Sequence, residues 1–379
     1  MDAATAGMEP ADLARALDRL RRYVEHETPT GDAERTAALA EELARDLTAA
    51  GAVVEQIDAP GVGKHVRARV PGRDPAERPL LLLGHLDTVH PLGTLAARPF
   101  RVEGDRAFGP GIYDMKAGLV VIVEALMRLR AAGASPRRPV VLLVTCDEEA
   151  GSGTSRPLIE AEARDAGMVL VLEPPLANGA AKTARKGVAI YHLCVTGRPA
   201  HAGLEPERGV SAVEELAHQI LRVIALADPA CGTTINVGVV HGGTASNVVP
   251  AAARAEIDVR FNTRAERERV ERALLSLTPV LEGAAVEVTG GENRPPLERS
   301  DGVVQLYGLV RAAAEELGIE LGEGSAGGGS DGCFTAALGV PTLDGLGVMG
   351  DGAHATHEHI IVPDLPRRTA LFARLLDRL

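Results

Sequence analysis

The chain has 379 residues, of which 45% are hydrophobic and 24% are charged, and its formal net charge is -12. This length exceeds that of one ordinary domain, so we expect two domains. The acidic balance, with no basic stripe or block, excludes a protein that binds nucleic-acid phosphates, and an aromatic content of 2% argues against base stacking. No run of 18 apolar residues occurs, so no membrane span is expected.

The cysteines and the N-terminus indicate the cellular compartment. The four cysteines contain no CxxC pair, which is typical of small buried thiols in a reducing compartment. The N-terminal sequence has no basic region followed by an apolar core, so no signal peptide is predicted. We therefore expect a cytoplasmic protein with neither nucleic-acid nor membrane partners.

Helix and strand patterns alternate over the first 185 residues. Apolar residues at helical spacing predict helices at 11–26, 33–51 and 115–133, and short strands are predicted at 52–57 and 65–70. Uninterrupted apolar runs predict further strands that are buried on both faces, at 79–89, 138–149 and 166–175. Strands that alternate with helices predict an α/β domain with a mostly parallel sheet between helices.

The pattern changes near residue 185. Between 186 and 297 the order is strand, helix, strand, strand, helix, strand with partial alternation, which predicts a two-layer α+β domain of the ferredoxin-like type with an antiparallel sheet. From 298 to the C-terminus the first pattern returns. We therefore expect one catalytic α/β domain (1–185 and 298–379) interrupted by an inserted lid domain (186–297).

Three of the buried strands end in side chains that can bind a metal. The run ending in "GHLD" delivers His85 and Asp87, the run ending in "CDEE" delivers Glu148 and Glu149, and "LEP" delivers Glu173. Sites in open parallel sheets form beyond the carboxyl ends of the strands, so these side chains should converge. Bare carboxylates crowded there would repel one another and have raised pKa values, a problem that divalent cations remove.

Asp114, in "GPGIYDMKAG", adds a carboxylate at the entrance to a helix. A ligand set of His with Asp and Glu suits zinc or a neighbouring transition ion, whereas an all-oxygen set would indicate magnesium or calcium. One bridging carboxylate with two terminal ligands per ion describes a pair of metals about 3.5–4 Å apart. Asp87, two residues after His85, is placed to orient that imidazole. Asp147, next to the glutamate pair, is interpreted as a turn residue rather than a ligand.

Eight motifs carry a resemblance to a known family. In chain order they are "GHLDTV", "GPGIYDMKAG", "DEEAGSG", "LEP", "GRPAHAG", "SNVVP", "GGGSD" and "GAHATHEHI". Together they resemble the dizinc aminoacylase/carboxypeptidase family of metallopeptidases, in particular its glutamate carboxypeptidase (carboxypeptidase G-type) branch, from about residue 13 to the C-terminus. The resemblance implies a zinc-peptidase catalytic domain with a lid, two Zn²⁺ per chain (Co²⁺ or Mn²⁺ being the alternatives), and a homodimer formed through the lid.

The resemblance also implies roles for the residues in these motifs. The implied metal ligands are His85, Asp114, Glu149, Glu173 and His354. Asp114 would bridge the two ions, and the family often has a cis peptide after this residue, here Asp114–Met115. Glu148 resembles the general base, and Asp87 resembles the residue that orients His85. His354 lies four residues before Glu358, as the family pattern requires, and His357 is the alternative ligand.

Residues of the lid and of the glycine loop, which is the motif "GGGSD" at 327–331, resemble groups that contact the substrate. His201 resembles the histidine that polarises the scissile carbonyl, and in dimeric relatives this histidine reaches the partner's active site. The residues that resemble contacts to a substrate carboxylate are Asn247, Arg260, Arg294, Gly328 and Gly329. Two alternatives remain open, since Arg260 could pair with a neighbouring acid and Arg294 could be a solvated surface residue.

The implied activity is zinc-dependent hydrolysis of an amide bond. We expect a carboxypeptidase that releases a C-terminal amino acid, with glutamate favoured, from peptides, acyl-glutamates or folate-like compounds. The alternative is an N-acyl-amino-acid deacylase of the acetylornithine deacetylase or succinyl-diaminopimelate desuccinylase type. A binding protein with a degenerate site is a third hypothesis, against which the intact set of ligands argues.

Overall fold

The structure, a computed structural model, describes residues 9–379. Its helices are α1 Pro10–Glu25, α2 Ala33–Ala49, α3 Thr94–Ala97, α4 Ala117–Ala131, α5 Arg156–Asp165, α6 Ala212–Ile224, α7 Arg264–Leu275, α8 Asp301–Glu315, α9 Gly332–Ala337 and α10 Asp364–Arg378. Its strands are β1 Val53–Ala59, β2 Gly63–Val70, β3 Leu80–His85, β4 Arg101–Glu103, β5 Arg106–Phe108, β6 Val140–Thr145, β7 Met168–Val171, β8 Ala181–Arg185, β9 Gly187–Thr196, β10 Thr234–Gly242, β11 Ala252–Phe261, β12 Ala285–Arg294, β13 Glu323–Ala326, β14 Thr342–Leu343, β15 Gly350–Asp351 and β16 His359–Ile361. Among residues 9–379, no helix combines the length and the apolarity that crossing a bilayer needs.

These elements form two compact units. The first comprises the described residues up to Ala184, together with Arg299–Ala326 and Ser330–Leu379. The second comprises Arg185–Glu298 and Gly327–Gly329. The glycine loop is therefore divided, because its glycines belong to the second unit and the following Ser330 and Asp331 belong to the first.

The first unit is built on a six-stranded sheet with the order β1-β2-β6-β3-β7-β14. Strands β6, β3, β7 and β14 are parallel to one another. At one edge, β2 pairs antiparallel with β6, and β1 pairs antiparallel with β2. All residues of β3 and β6 are buried, and alternate side chains enter different cores: Leu80 and Leu82 belong to one apolar cluster and Leu81 and Leu83 to another. Burial on both faces explains why these strands lack alternation, and the mostly parallel sheet that we predicted is confirmed.

The predicted helix at 115–133 begins two residues late. Asp114 and Met115 have non-helical backbone angles, and the peptide bond between them is cis, as the resemblance implies. Helix α4 therefore starts at Ala117. The sequence patterns also missed two small sheets, β15-β16-β5-β4 and β13-β8, because strands of two to five residues show too few alternations to be recognised.

The second unit has the order β9, α6, β10, β11, α7, β12, with the antiparallel sheet order β10-β11-β9-β12. Ser211 and Thr263 cap α6 and α7, since each side chain accepts a hydrogen bond from the amide three residues later. Both helices pack on one face of the sheet, where Tyr191 and Leu193 are buried, while the intervening side chains of β9 are exposed on the other face. This is the ferredoxin-like arrangement that the element order predicts.

Candidate active site

The first group of potential metal ligands lies at the carboxyl ends of the parallel strands. His85 is the last residue of β3, and Glu173 follows β7 by two residues. His85 Nε2 is 3.2 Å from Asp114 Oδ1 and 3.5 Å from Glu173 Oε1. These three side chains form a cluster in which one ligand atom from each lies within 4.8 Å of the others.

A second group shares Asp114 with the first. His354 Nε2 is 3.4 Å from Asp114 Oδ2 and 3.2 Å from Glu149 Oε1. The two oxygens of Asp114 therefore face two different histidines, as a bridging carboxylate requires. His357 lies outside both groups, because its side chain is 63% exposed and its Nε2 is 3.9 Å from Asp351. Of the two histidines left open by the sequence, the geometry favours His354 as the ligand.

Asp87 connects His85 to the glutamate pair. His85 Nδ1 is 3.0 Å from the backbone carbonyl of Asp87 and 3.5 Å from its Oδ1. Because a carbonyl only accepts, Nδ1 carries the proton and the Nε2 lone pair is left for a metal. The fully buried Asp87 carboxylate accepts the amides of Glu148 and Glu149, each at 3.2 Å, and the Thr30 hydroxyl at 2.8 Å. The residue expected to orient the imidazole thus also holds the turn that carries both glutamates.

Asp147 stabilises the other side of this turn. Its Oδ2 accepts the amide and the hydroxyl of Thr154, both at 2.7 Å, and the amide of Ser155 at 3.3 Å. The chain after Asp147 turns through the short helical segment Glu148–Ala150, and Ser152 is left-handed at φ 60°. Asp147 is therefore a turn residue, as its sequence context indicates.

The buried carboxylates of the cluster favour the presence of positive charge beside them. Burial raises the pKa of Glu149. Hydrogen bonds to Asp114 and Glu149 raise the pKa of His354 to about 10. Burial opposes protonation of His85, but hydrogen bonds to Asp114, Asp87 and Glu173 outweigh it and raise the pKa of His85. Both imidazoles therefore hold protons where no metal is bound, and metal ions would replace those protons.

The donor set fits a pair of metal ions. Each group offers one imidazole nitrogen, one terminal carboxylate and one oxygen of the shared Asp114. Nitrogen with carboxylate oxygen suits zinc and its transition-metal neighbours better than magnesium or calcium. The residues that would hold the ions are His85, Asp114, Glu149, Glu173 and His354.

His201 and Asn247 lie on adjoining loops of the second unit. The backbone carbonyl of Asn247 accepts the amide of Ala202 at 3.0 Å, and both predicted residues are exposed. His201 Nδ1 accepts the amides of Gly203 and Leu204, each at 3.1 Å. Since Nδ1 accepts, Nε2 carries the proton and is a hydrogen-bond donor.

The two predicted arginines share one row of the sheet in the second unit. Val188 on the central strand β9 is paired with Arg260 on one side and with Arg294 on the other, so both side chains leave from the same face. Arg260 makes a bidentate ion pair with Asp258, at 2.7 and 2.8 Å, which is the alternative that the sequence left open. Arg294 is 5% exposed and is therefore not a solvated surface residue.

Gly328 and Gly329 lie beside Arg294 and a further arginine. A side chain at Gly329 would place its Cβ 2.7 Å from Arg294 Cδ, so Arg294 would have to shift to accept it. The carbonyls of Gly328 and Gly329 accept Arg185 NH1 at 3.2 and 2.6 Å. Sequence analysis missed Arg185, because its partners are 143 and 144 residues away and no local motif marks it.

Comparisons with known proteins agree with the fold. Residues 81–378 match the model of peptidase family M20/M25/M40. Carboxypeptidase G2 of Pseudomonas sp. (strain RS-16) is 36% identical over 95% of this chain and 88% of its own length. Succinyl-diaminopimelate desuccinylase of Methylobacterium sp. (strain 4-46) is 32% identical over 97% and 96% of the two chains. A dinuclear metal binding peptidase of the M20 family from Bacillus subtilis shares the fold, with a TM-score of 0.67, 17% identity and coverage of 97% and 98%.

The fold and the site define a metal-dependent hydrolase of amide bonds. The chain belongs to peptidase family M20/M25/M40. The resemblance seen in its motifs is thereby confirmed, and so is the expectation of an enzyme with a carboxypeptidase or deacylase activity.

Proposed function

We propose that the protein is a dizinc carboxypeptidase that releases a C-terminal amino acid, with glutamate favoured, from peptides, acyl-glutamates or folate-like compounds. The observation that carries the proposal is Asp114, whose two oxygens face His85 and His354 at 3.2 and 3.4 Å. The 36% identity to a carboxypeptidase over 95% of the chain supports this substrate class. Co²⁺ and Mn²⁺ are the alternatives to Zn²⁺, because they accept the same ligands.

Glu148 is the proposed general base. Bound metal ions would lower the pKa of a water molecule and polarise the substrate carbonyl. The carboxylate of Glu148 takes a proton from the attacking water and returns it to the leaving amine, which completes the hydrolysis without a covalent enzyme intermediate. Asp87 accepts the amide of Glu148, and this hydrogen bond fixes the backbone from which the Glu148 side chain extends.

His201 is the proposed donor to the developing oxyanion. Its Nδ1 is occupied by two backbone amides, so a neutral imidazole presents Nε2–H without needing to be charged. We propose that it acts in the partner's site of a homodimer formed through the second unit, which serves as the lid. In support, β10 is an edge strand of its sheet, and Val240 on that strand and Leu221 on α6 are 52% and 70% exposed.

The proposed contacts to the substrate carboxylate are Asn247, Arg260, Arg294, Gly328 and Gly329. Arg294 is favoured among them, because the residue is nearly buried and a guanidinium held in place binds a carboxylate with two parallel hydrogen bonds. The side chain of Arg260 is 34% exposed, so solvent screens its charge and we assign it the smaller contribution. The backbone amides of the two glycines would add donors to the same carboxylate.

The alternative substrate class is an N-acyl amino acid, as hydrolysed by a deacylase. The relative named as succinyl-diaminopimelate desuccinylase is 32% identical over 97% of this chain and favours this candidate. Both reactions require the same ligands and the same base, and they differ in the groups that recognise the substrate.

A substrate panel separates the two candidates. Purified zinc-loaded enzyme is assayed with peptides and acyl amino acids that differ only in the C-terminal residue, with a folate-like glutamate conjugate, with N-succinyl-diaminopimelate and with N-acetylornithine. We expect the largest kcat/KM for a substrate with C-terminal glutamate. A larger kcat/KM for either deacylase substrate would reject the carboxypeptidase assignment.

Mixed dimers test the proposed action of His201 in trans. H201Q and E148Q chains are each expected to be nearly inactive, and mixing them should restore activity, because one of the two sites then has both residues intact. A protein that sediments only as a monomer, or a mixture without recovery, would contradict this part of the proposal.

The cytoplasm is the compartment that we propose, and the four free cysteines support it.

A further inference from the structure

Glu358 is a buried carboxylate with hydrogen-bond donors on both of its oxygens. The residue is 2% exposed. Its Oε1 accepts the amides of Tyr113 and Asp114 at 2.9 and 3.1 Å, and its Oε2 accepts the amide of Gly111 at 2.8 Å. His90 Nε2 lies 2.6 Å from the same Oε2. Three of these donors belong to the loop that carries Asp114, whereas Glu358 lies four residues after His354.

His90 and Arg98 extend this contact to the His354 loop. Arg98 Nη1 donates to the carbonyl of Ala355 at 2.9 Å, and Arg98 Nη2 is 3.4 Å from His90 Nδ1. Arg98 can only donate, so His90 Nδ1 accepts and Nε2–H donates to Glu358. Arg98, His90 and Glu358 thus form one chain of hydrogen bonds that joins the residue after His354 to the loop of Asp114.

The two groups of ligands are held by different means. His85 ends the central strand β3, and Glu173 follows β7. The position of β3 is set by parallel pairing with β6 on one side and with β7 on the other. His354 has no such support, because it lies between β15 and β16 in a left-handed conformation at φ 63° and its side chain is 51% exposed. Its distance from Asp114 therefore depends on the contacts of its loop.

We propose that Glu358, with His90 and Arg98, is a positioning clamp that sets the separation of Asp114 and His354 and so determines how tightly the ion of the Asp114–Glu149–His354 group is held. The inference rests on the proposed function, because it takes these residues to be metal ligands. It assigns a role to two side chains, His90 and Arg98, that the sequence motifs leave unexplained. Residues that support a metal ligand from behind contribute about 10- to 100-fold in metal affinity.

Glu358→Gln tests the clamp with little change in side-chain volume. The amide keeps one accepting oxygen, but its NH2 group then faces either the pair of amides on Oε1 or Gly111 and His90 on Oε2, and in both cases donors meet donors. We expect one ion to be retained with unchanged affinity and the second to bind about 10- to 100-fold more weakly. The readout is zinc per chain after dialysis against a graded series of chelator buffers, together with the visible spectrum of the cobalt-loaded protein.

Glu215→Gln is the matched control. Glu215 is fully buried and accepts the amides of Val280 and Leu281, so the variant removes a carboxylate of the same kind in the second unit. We expect it to bind two ions like the unsubstituted protein.

The activity of E358Q should recover at high free zinc with an unchanged KM, whereas a variant that is only misfolded would not recover.

Arg98→Met is a second variant, for the case in which E358Q does not fold. It removes the link to Ala355 and leaves Glu358 with its three amides, so a smaller loss of the second ion is expected. The clamp is rejected if either folded variant binds both ions as tightly as the unsubstituted protein, or loses both ions equally. If the unsubstituted protein itself does not bind two ions, the proposed function fails and not merely the clamp.

Discussion

The predicted residues of the two units differ in how the chain holds them. In the first unit, residues from three strand ends and two loops converge, and each of the two imidazoles lies within 3.5 Å of two carboxylates. In the second unit, His201 and Asn247 are exposed on loops, and Arg260 is paired with Asp258. The pairing of β3 with its two neighbours fixes the position of His85 in the first unit, whereas hydrogen bonds within its own loop orient His201 in the second. The difference shows that the candidate metal ligands converge in the first unit, whereas the predicted substrate contacts of the second unit are spread over loops and strands.

The largest expected effect is on kcat, and it distinguishes the roles of the adjacent residues Glu148 and Glu149 in the first unit. Glu148→Gln should lower kcat by about 10²- to 10⁴-fold, because a general base is lost, with two ions still bound. Glu149→Gln should instead lose one ion, because it removes a ligand of the His354 group. Steady-state kinetics and metal content distinguish the two variants. Retained hydrolysis in E148Q would remove Glu148 as the base.

A smaller effect is expected from the second unit at His201. His201→Gln should lower kcat by about 10²- to 10³-fold through the loss of one oxyanion donor. The metal content should stay at two ions per chain, which would place the defect outside the metal site. His192→Gln is a suitable control, because His192 is an exposed histidine on β9 of the same unit. An H201Q enzyme with unaltered kcat would contradict the donor role.

The arginine pair should affect binding rather than the chemical step. Arg294→Lys replaces a guanidinium that can make two parallel hydrogen bonds with an ammonium that cannot. KM should rise by about 10- to 100-fold, which corresponds to the free-energy contribution of one hydrogen bond to a charged group. Arg260→Lys should raise KM less, because the side chain of Arg260 is 34% exposed and solvent screens its charge. Both variants should keep kcat and metal content. The assignment is reversed if R260K has the larger effect on KM for a substrate with a free α-carboxylate.

The smallest predicted effect is a pH dependence confined to the first unit. The pKa of His354 in the metal-free protein is raised from 6.5 to about 10, so the stabilisation from its proton is full below pH 6.5 and is lost as the pH rises through 10. Zinc competes with that proton, and its apparent affinity should rise by up to about tenfold per pH unit for each proton released. Titration against a chelating indicator between pH 6.5 and 8.5 measures this slope. A flat profile would show that no imidazole proton is displaced.

The sequence alone was sufficient for the strand-end part of the site. Uninterrupted apolar runs located β3, β6 and β7, and any side chain directly after parallel strands must reach the same edge of the sheet. His85, Glu149 and Glu173 were therefore predictable as neighbours. The ferredoxin-like order of the second unit was predictable for a similar reason, because each of its strands is long enough to show alternation.

Contacts between distant segments were decided only by the tertiary structure. The choice between His354 and His357 and the four contacts of Glu358 depend on where side chains point. Glu358 was visible in the sequence only as a motif residue, since its partners lie 244 to 268 residues earlier. Periodicity reports which face of an element is buried, whereas hydrogen bonds between loops depend on three-dimensional placement. For that reason the sequence determined which residues surround the site, and the fold determined how they are held.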